Sequence, residues 1–136
     1  MQENEFLNAV QQRTGLESRD QAYTMTSAVL GVFGQRITQG EAENIASQLP
    51  AQIDNVLISE TPEAEEFSVD EFISRVNDRV ATLSDATASN TEHYIRGVMT
   101  VLGDAVSGSE LEDARNQFPS EFDSLYEPID MSEQQL

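Results

Sequence analysis

One histidine, a few acid clusters and repeated arginine and glutamine positions are the residues from which this chain could build chemistry. His93 stands beside Tyr94 near the start of a helical segment, and no glycine-flanked serine elbow exists to serve as its nucleophile. It reads as a helix residue rather than a base. Cysteine is absent, which excludes disulfides, thiolate catalysis and cysteine-based zinc sites. A di-iron bundle needs Glu-x-x-His on each of two helices, and neither that motif nor a glycine-rich phosphate loop is present. Glu41 with Glu43, and Glu110 with Glu112 and Asp113, could offer oxygens to a hard cation such as magnesium. Acids in the first turn of a helix also complement its dipole, and Glu41 and Glu110 fall at capping positions, so no metal is expected. No catalytic residue and no cofactor is expected either, and the chain reads as non-enzymatic.

Four polar positions remain as candidates. Arg13 and Arg79 occupy equivalent places at the C-terminal ends of two similar helices, in a chain with few basic residues. Either they grip an anionic ligand or partner, or they are structural. In the second case each neutralises a helix C-terminus or forks onto a carboxylate of a neighbouring helix. Repeat symmetry favours the structural role. Gln48 and Gln117, each just before a proline, are placed to hydrogen-bond the turn between two helices.

The elements that would position these residues are helical throughout. Phe6, Leu7 and Val10 form one apolar face, and Phe72, Ile73, Val76 and Val80 repeat it at helical spacing. Five segments match the capping box, beginning at Ser18, Thr38, Ser68, Ser89 and Ser107. Gly15 suits a helix C-terminus and Pro50 a first helical turn. The spacing predicts helices over about 3–13, 19–37, 39–48 and 50–58, and again over about 69–80, 90–106, 108–117 and 119–126. The second and sixth of these are apolar on nearly every side, as interior helices are. Their mid-helix glycines, Gly31, Gly34, Gly97 and Gly103, each cost about 1 kcal/mol of helix propensity and point to close backbone approach.

These segments form a repeat. Glu5 to Arg13 reads onto Glu71 to Arg79, Val29 to Gly34 onto Val98 to Gly103, and Glu41 to Leu57 onto Glu110 to Tyr126. The expected fold is therefore all-α: one compact domain of about eight helices, built from two tandem four-helix repeats about a pseudo-two-fold axis. Repeat one spans 3–58, an acidic surface linker 59–66, repeat two 67–126, and a fraying tail 127–136.

Charge sets the environment. There are 25 acidic residues against 7 basic ones, all arginine, for a net charge of -18. Such a surface repels phosphate backbones and anionic lipid, so neither direct nucleic-acid binding nor membrane binding is expected. Two readings of the acidity stand: adaptation to a cytoplasm of molar salt, or mimicry of nucleic acid toward a basic partner. The acids are spread along the whole chain and lysine is missing everywhere, which favours salt adaptation. With an acidic N-terminus and no apolar run of the roughly 18 residues a span requires, a cytoplasmic location is expected.

A wider pattern runs through the chain. It comprises Phe6-x-x-x-Val10-x-x-Arg13-x-Gly15-Leu16, Ala28-Val29-Leu30, Arg36-Ile37, Gly40-Glu41-Ala42 and Ala46-x-Gln48-Leu49-Pro50. Phe67-Ser68-x-x-Glu71-Phe72-x-x-Arg75-Val76 and Val98-Met99-x-Val101-Leu102 continue it, followed by Val106-Ser107-x-Ser109-Glu110 and Gln117-Phe118-Pro119-x-Glu121-Phe122. In these features the chain resembles a family of uncharacterised prokaryotic proteins catalogued as domain of unknown function 2267, of which it would be an acidic, halophile-type member. It departs from that pattern at Phe118, where leucine is usual, and through the loop from Ala81 to Ser89. The resemblance implies an all-helical fold and brings no activity, ligand or catalytic residue. The expected function, reached by exclusion of chemistry, is a small interaction or scaffold module with a protein partner. A nucleic-acid mimic and a binder of an apolar small molecule between the central helices are the alternatives.

Overall fold

Helix formation here begins with local chemistry at the helix ends, and the computed structural model shows where each end falls. It describes residues 2–57, 65–81 and 90–106, together with 112, 116, 118 and 120–122. Six helices lie within these residues: α1 (Glu3–Thr14), α2 (Arg19–Arg36), α3 (Gln39–Ala46), α4 (Ala51–Leu57), α5 (Val69–Arg79) and α6 (Thr91–Ala105). No strand occurs among the described residues. The described residues are all-helical in their regular structure. Most of the expected helices over 108–117 and 119–126, most of the 59–66 linker, and the tail lie outside the described residues.

Three of the five capping signals act as expected. The hydroxyls of Ser18, Thr38 and Ser68 accept from the N–H of Gln21, Glu41 and Glu71 at 3.1, 3.3 and 3.1 Å. Each satisfies a donor that the first turn leaves without an intrahelical partner. The Gln21 side chain reaches back one residue further than a capping box requires and accepts from the N–H of Glu17 at 3.0 Å. Two expectations need correction. The cap of α6 is Asn90 rather than Ser89, and its side chain makes no capping bond. Pro50 precedes α4 rather than opening it, and its carbonyl accepts from the N–H groups of Ile53 and Asp54. The Ser107 signal lies outside the described residues. Gly15 ends α1 in the left-handed region at φ 78°, with its N–H donating to Gln11 at 2.8 Å.

Packing then follows from α2, which is buried along most of its length and touches α1, α4, α5 and α6. Helix α1 also packs on α6, and α3 on α4. Phe6, Leu7, Met25, Leu30, Phe33, Ile53, Leu57, Phe72, Ile95 and Phe122 are all fully buried in one continuous core. Removing each such side chain from water stabilises the fold by about 1.5–3 kcal/mol. Exposed Glu65 is tied rather than free, its N–H donating to the Gln35 carbonyl at 2.8 Å.

The glycines divide. At Gly34 a Cβ would fall on the Leu57 carbonyl, so α2 and α4 approach here as only glycine permits. Gly97 is also buried. Gly103, expected at a similar close approach, is instead exposed on the outer side of α6 next to exposed Asp104.

Candidate functional site

Arg13 and Arg79, equivalent in sequence, meet different surroundings. Arg13 reaches from α1 to α6, where its Nη2 lies 3.5 Å from the Asp104 carboxylate, with the two side chains 29% and 59% exposed. Arg79, in the last turn of α5, is exposed and has no ion pair or hydrogen bond among the described residues. Its guanidinium lies instead against the α2 backbone, with Nη1 2.5 Å from the position a Cβ on Gly31 would take.

That placement makes Arg79 one wall of a cleft of about 290 Å³ between α2, α4 and α5. Tyr23, Thr24, Ser27 and Ala28 of α2 and Val56 of α4 complete it. Positions 24, 27, 28 and 31 share one helix face, and small residues there leave the space open. Among the described residues no acid lines this cleft. The Ser27 hydroxyl oxygen is shielded from solvent and has no hydrogen-bond partner among the described residues. A second cleft of about 220 Å³ adjoins it, lined by Glu3, Leu7, Arg19, Asp20, Tyr23 and Gln52. Here two acids offset Arg19. Tyr23 belongs to both clefts and, among the described residues, is the one large hydrophobic side chain exposed, at 36%.

The other arginines with assigned contacts are structural, and two of them were not singled out as site candidates from the sequence. Arg36, at the end of α2, is 7% exposed. Its guanidinium carbon lies 5.8, 5.2 and 5.5 Å from the ring centres of Phe67, Phe118 and Phe122, while Nε donates to the Phe67 carbonyl at 3.2 Å. Arg75 stacks on the Phe67 ring at 4.0 Å and donates to Glu65, Glu71 and Gln35 at 2.9, 3.3 and 3.1 Å. Burial works against the Arg75 charge, but its hydrogen bonds to Glu65 and Glu71 and their attraction outweigh that and raise its pKa. The available signal was compositional. An arginine and a phenylalanine in one segment, Phe67 to Arg75, are what a cation–π contact requires, whereas the rings that receive Arg36 are distant in sequence.

The remaining candidates sit away from the clefts. The Gln48 N–H donates to the Ile45 carbonyl at 3.0 Å in the turn between α3 and α4. Gln117 lies outside the described residues. His93 is half-buried with Nε2 3.2 Å from the Thr14 carbonyl, so it is the Nε2–H tautomer that donates, satisfying the end of α1. Its ring meets Tyr94 edge-on. Glu41 serves the α3 N-terminus through its backbone N–H, and Glu43 accepts from Gln39 at 3.3 Å. Among the described residues no three His, Asp or Glu side chains cluster so as to hold a metal, and no helix is long and apolar enough to cross a membrane.

With this geometry in view, the family assignment is direct. The family described as uncharacterized conserved protein (DUF2267) matches residues 3–125, nearly the whole chain, and the chain belongs to that family. No curated protein matches it.

Proposed function

We propose that this DUF2267 member is a non-enzymatic helical recognition module of an acidic, salt-rich cytoplasm, and that it recognises a protein partner through the outer face of α2. One observation carries the reading: Tyr23, exposed while other large apolar side chains around it are buried, stands where two clefts meet. Exposed aromatic residues with a neighbouring arginine are the side chains that anchor protein interfaces. The other polar residues with assigned contacts serve helix ends and interhelical ties, which leaves this face as the place for recognition.

The same reading takes the domain as two repeats about a pseudo-two-fold axis. Supporting this, the contacts run crosswise: α1 of the first copy packs on α6 of the second, and α5 of the second on α2 of the first. The axis also accounts for the unequal arginines. Where the second copy offers Asp104 to Arg13, the first has Gln35 at the matching position, and Gln35 bonds Arg75. Arg79 is left for the cleft.

The test is site-specific photocrosslinking in the native host at its native salt. A photoreactive phenylalanine analogue at position 23 should form a discrete protein adduct, and the same group at exposed Asn44 on α3 should not. Equal crosslinking at both positions, or none at position 23, would count against the recognition face.

A further inference from the structure

We propose that the cleft between α2, α4 and α5 binds a small monocarboxylate with a short apolar body, held by Arg79. The proposal rests on the α2 face being the recognition surface and names what its larger cleft accepts. Three observations converge. Arg79 faces a cleft that no acid lines among the described residues, in a chain of net charge -18. Its guanidinium is seated on Gly31, where the missing Cβ leaves room for Nη1. Ser27, in the cleft wall, has a hydroxyl oxygen with no partner among the described residues, and it could donate a hydrogen bond to an oxygen bound beside it.

The chemistry of the walls selects the ligand class. A guanidinium meets a carboxylate through two parallel N–H···O bonds, while Thr24 and Tyr23 add hydroxyl donors at the rim. Ala28, Val56 and the Tyr23 ring supply an apolar surface for the rest of the molecule. A phosphate dianion fits less well. It needs more than one cation or a helix N-terminus, and this cleft has a single arginine at a helix C-terminal end. The cleft's volume of about 290 Å³ lies at the low edge of ligand sites, which run about 300–1,000 Å³, so the body must be small. The adjacent cleft makes an internal comparison. It has Arg19, but Glu3 and Asp20 in its wall oppose an anion.

Amide chemical shifts of the purified chain, titrated with 4-methylpentanoate and with its neutral amide, test this at the lowest salt that preserves the fold. The carboxylate should give saturating shifts at Tyr23, Ser27, Gly31 and Arg79, and the amide should give none. Arg79→Gln should weaken binding by about tenfold or more, as loss of a charged hydrogen-bonding pair does. Arg13→Gln, which changes no residue lining the cleft, should leave binding unchanged. Gly31→Ala is the sharper variant, because it keeps the charge but pushes the guanidinium off its seat. It should retain the fold and bind the carboxylate several-fold more weakly. No saturating shift at millimolar carboxylate, equal binding of the amide, or unchanged affinity in Arg79→Gln would overturn the site. The titration reads the isolated chain, so its failure leaves the recognition face to the crosslinking, which tests it separately.

Discussion

Replacing Gly34 with alanine sets two opposed effects against each other within α2. Alanine is the better helix former by about 1 kcal/mol, so in an unhindered helix the variant would be stabilised. Here the new methyl would stand 3.0 Å from the Leu57 carbonyl carbon, where about 3.5–4.0 Å is comfortable, and closer still to the carbonyl oxygen. Backbone cannot rotate out of the way as a side-chain tip can. Leu57 is itself fully buried at the end of α4, so relief requires α4 to withdraw from α2 and loosen the core around Ile53 and Leu57. Overpacking of this kind costs about 1–3 kcal/mol, and a backbone obstacle places it at the upper end. The net expectation is a loss of about 2 kcal/mol. Gly31→Ala is the matched control. It gains the same propensity, and its methyl meets only the far end of Arg79, a flexible side chain, so stability should be unchanged or rise by up to about 1 kcal/mol. Urea unfolding of both variants and the wild type, at one fixed salt concentration and followed by circular dichroism, measures the difference. A Gly34→Ala variant as stable as Gly31→Ala would refute the close approach of α2 and α4 and the sign of the argument with it.

Three further outcomes are expected. Arg36→Ala should lower stability by about 3 kcal/mol, combining lost contacts to three rings with the lost bond to the Phe67 carbonyl, as read from denaturation midpoints. A loss under about 1 kcal/mol would show that the aromatic cluster does not depend on it. Arg13→Ala should cost no more than about 1 kcal/mol, because its pair with Asp104 is long and half-exposed, and that cost should shrink further as salt is added. Folding as a whole should depend on salt in the opposite direction. With a net charge of -18, helicity and melting temperature should rise from dilute buffer to molar potassium chloride, as screening removes repulsion and apolar burial strengthens. A constant melting temperature over that range would refute salt adaptation.

The helices themselves were legible because their causes are local. The ends of all six lie within two residues of the sequence expectation, since apolar periodicity and a hydroxyl three residues ahead of an acceptor-seeking N–H act over a single turn. Gly15 was readable for the same reason. The core was legible as a list of faces, because a helix apolar on nearly every side has no soluble alternative to the interior. Gly34 and Gly103 show where this stops. They match in sequence, yet one meets the Leu57 carbonyl and the other faces outward, because a missing Cβ has meaning only against what packs opposite it.

The candidate site depended almost wholly on the tertiary structure. Arg13 and Arg79 both end a helix and read alike locally, yet Arg13 reaches Asp104 of α6, far away in the chain, while Arg79 lies against Gly31 of α2. No motif or spacing singled out Tyr23, which only the packed fold shows to be exposed between two clefts. Arg36 gave no local sign that it would be buried, since the Phe67, Phe118 and Phe122 rings that receive it arrive only when the chain closes on itself. Helix formation, capping and overall charge are set by residues within a turn or two of each other, and the sequence alone determined them. Which polar group finds a partner, and which is left facing a cleft, depends on contacts between residues dozens of positions apart, and only the packed fold decides it.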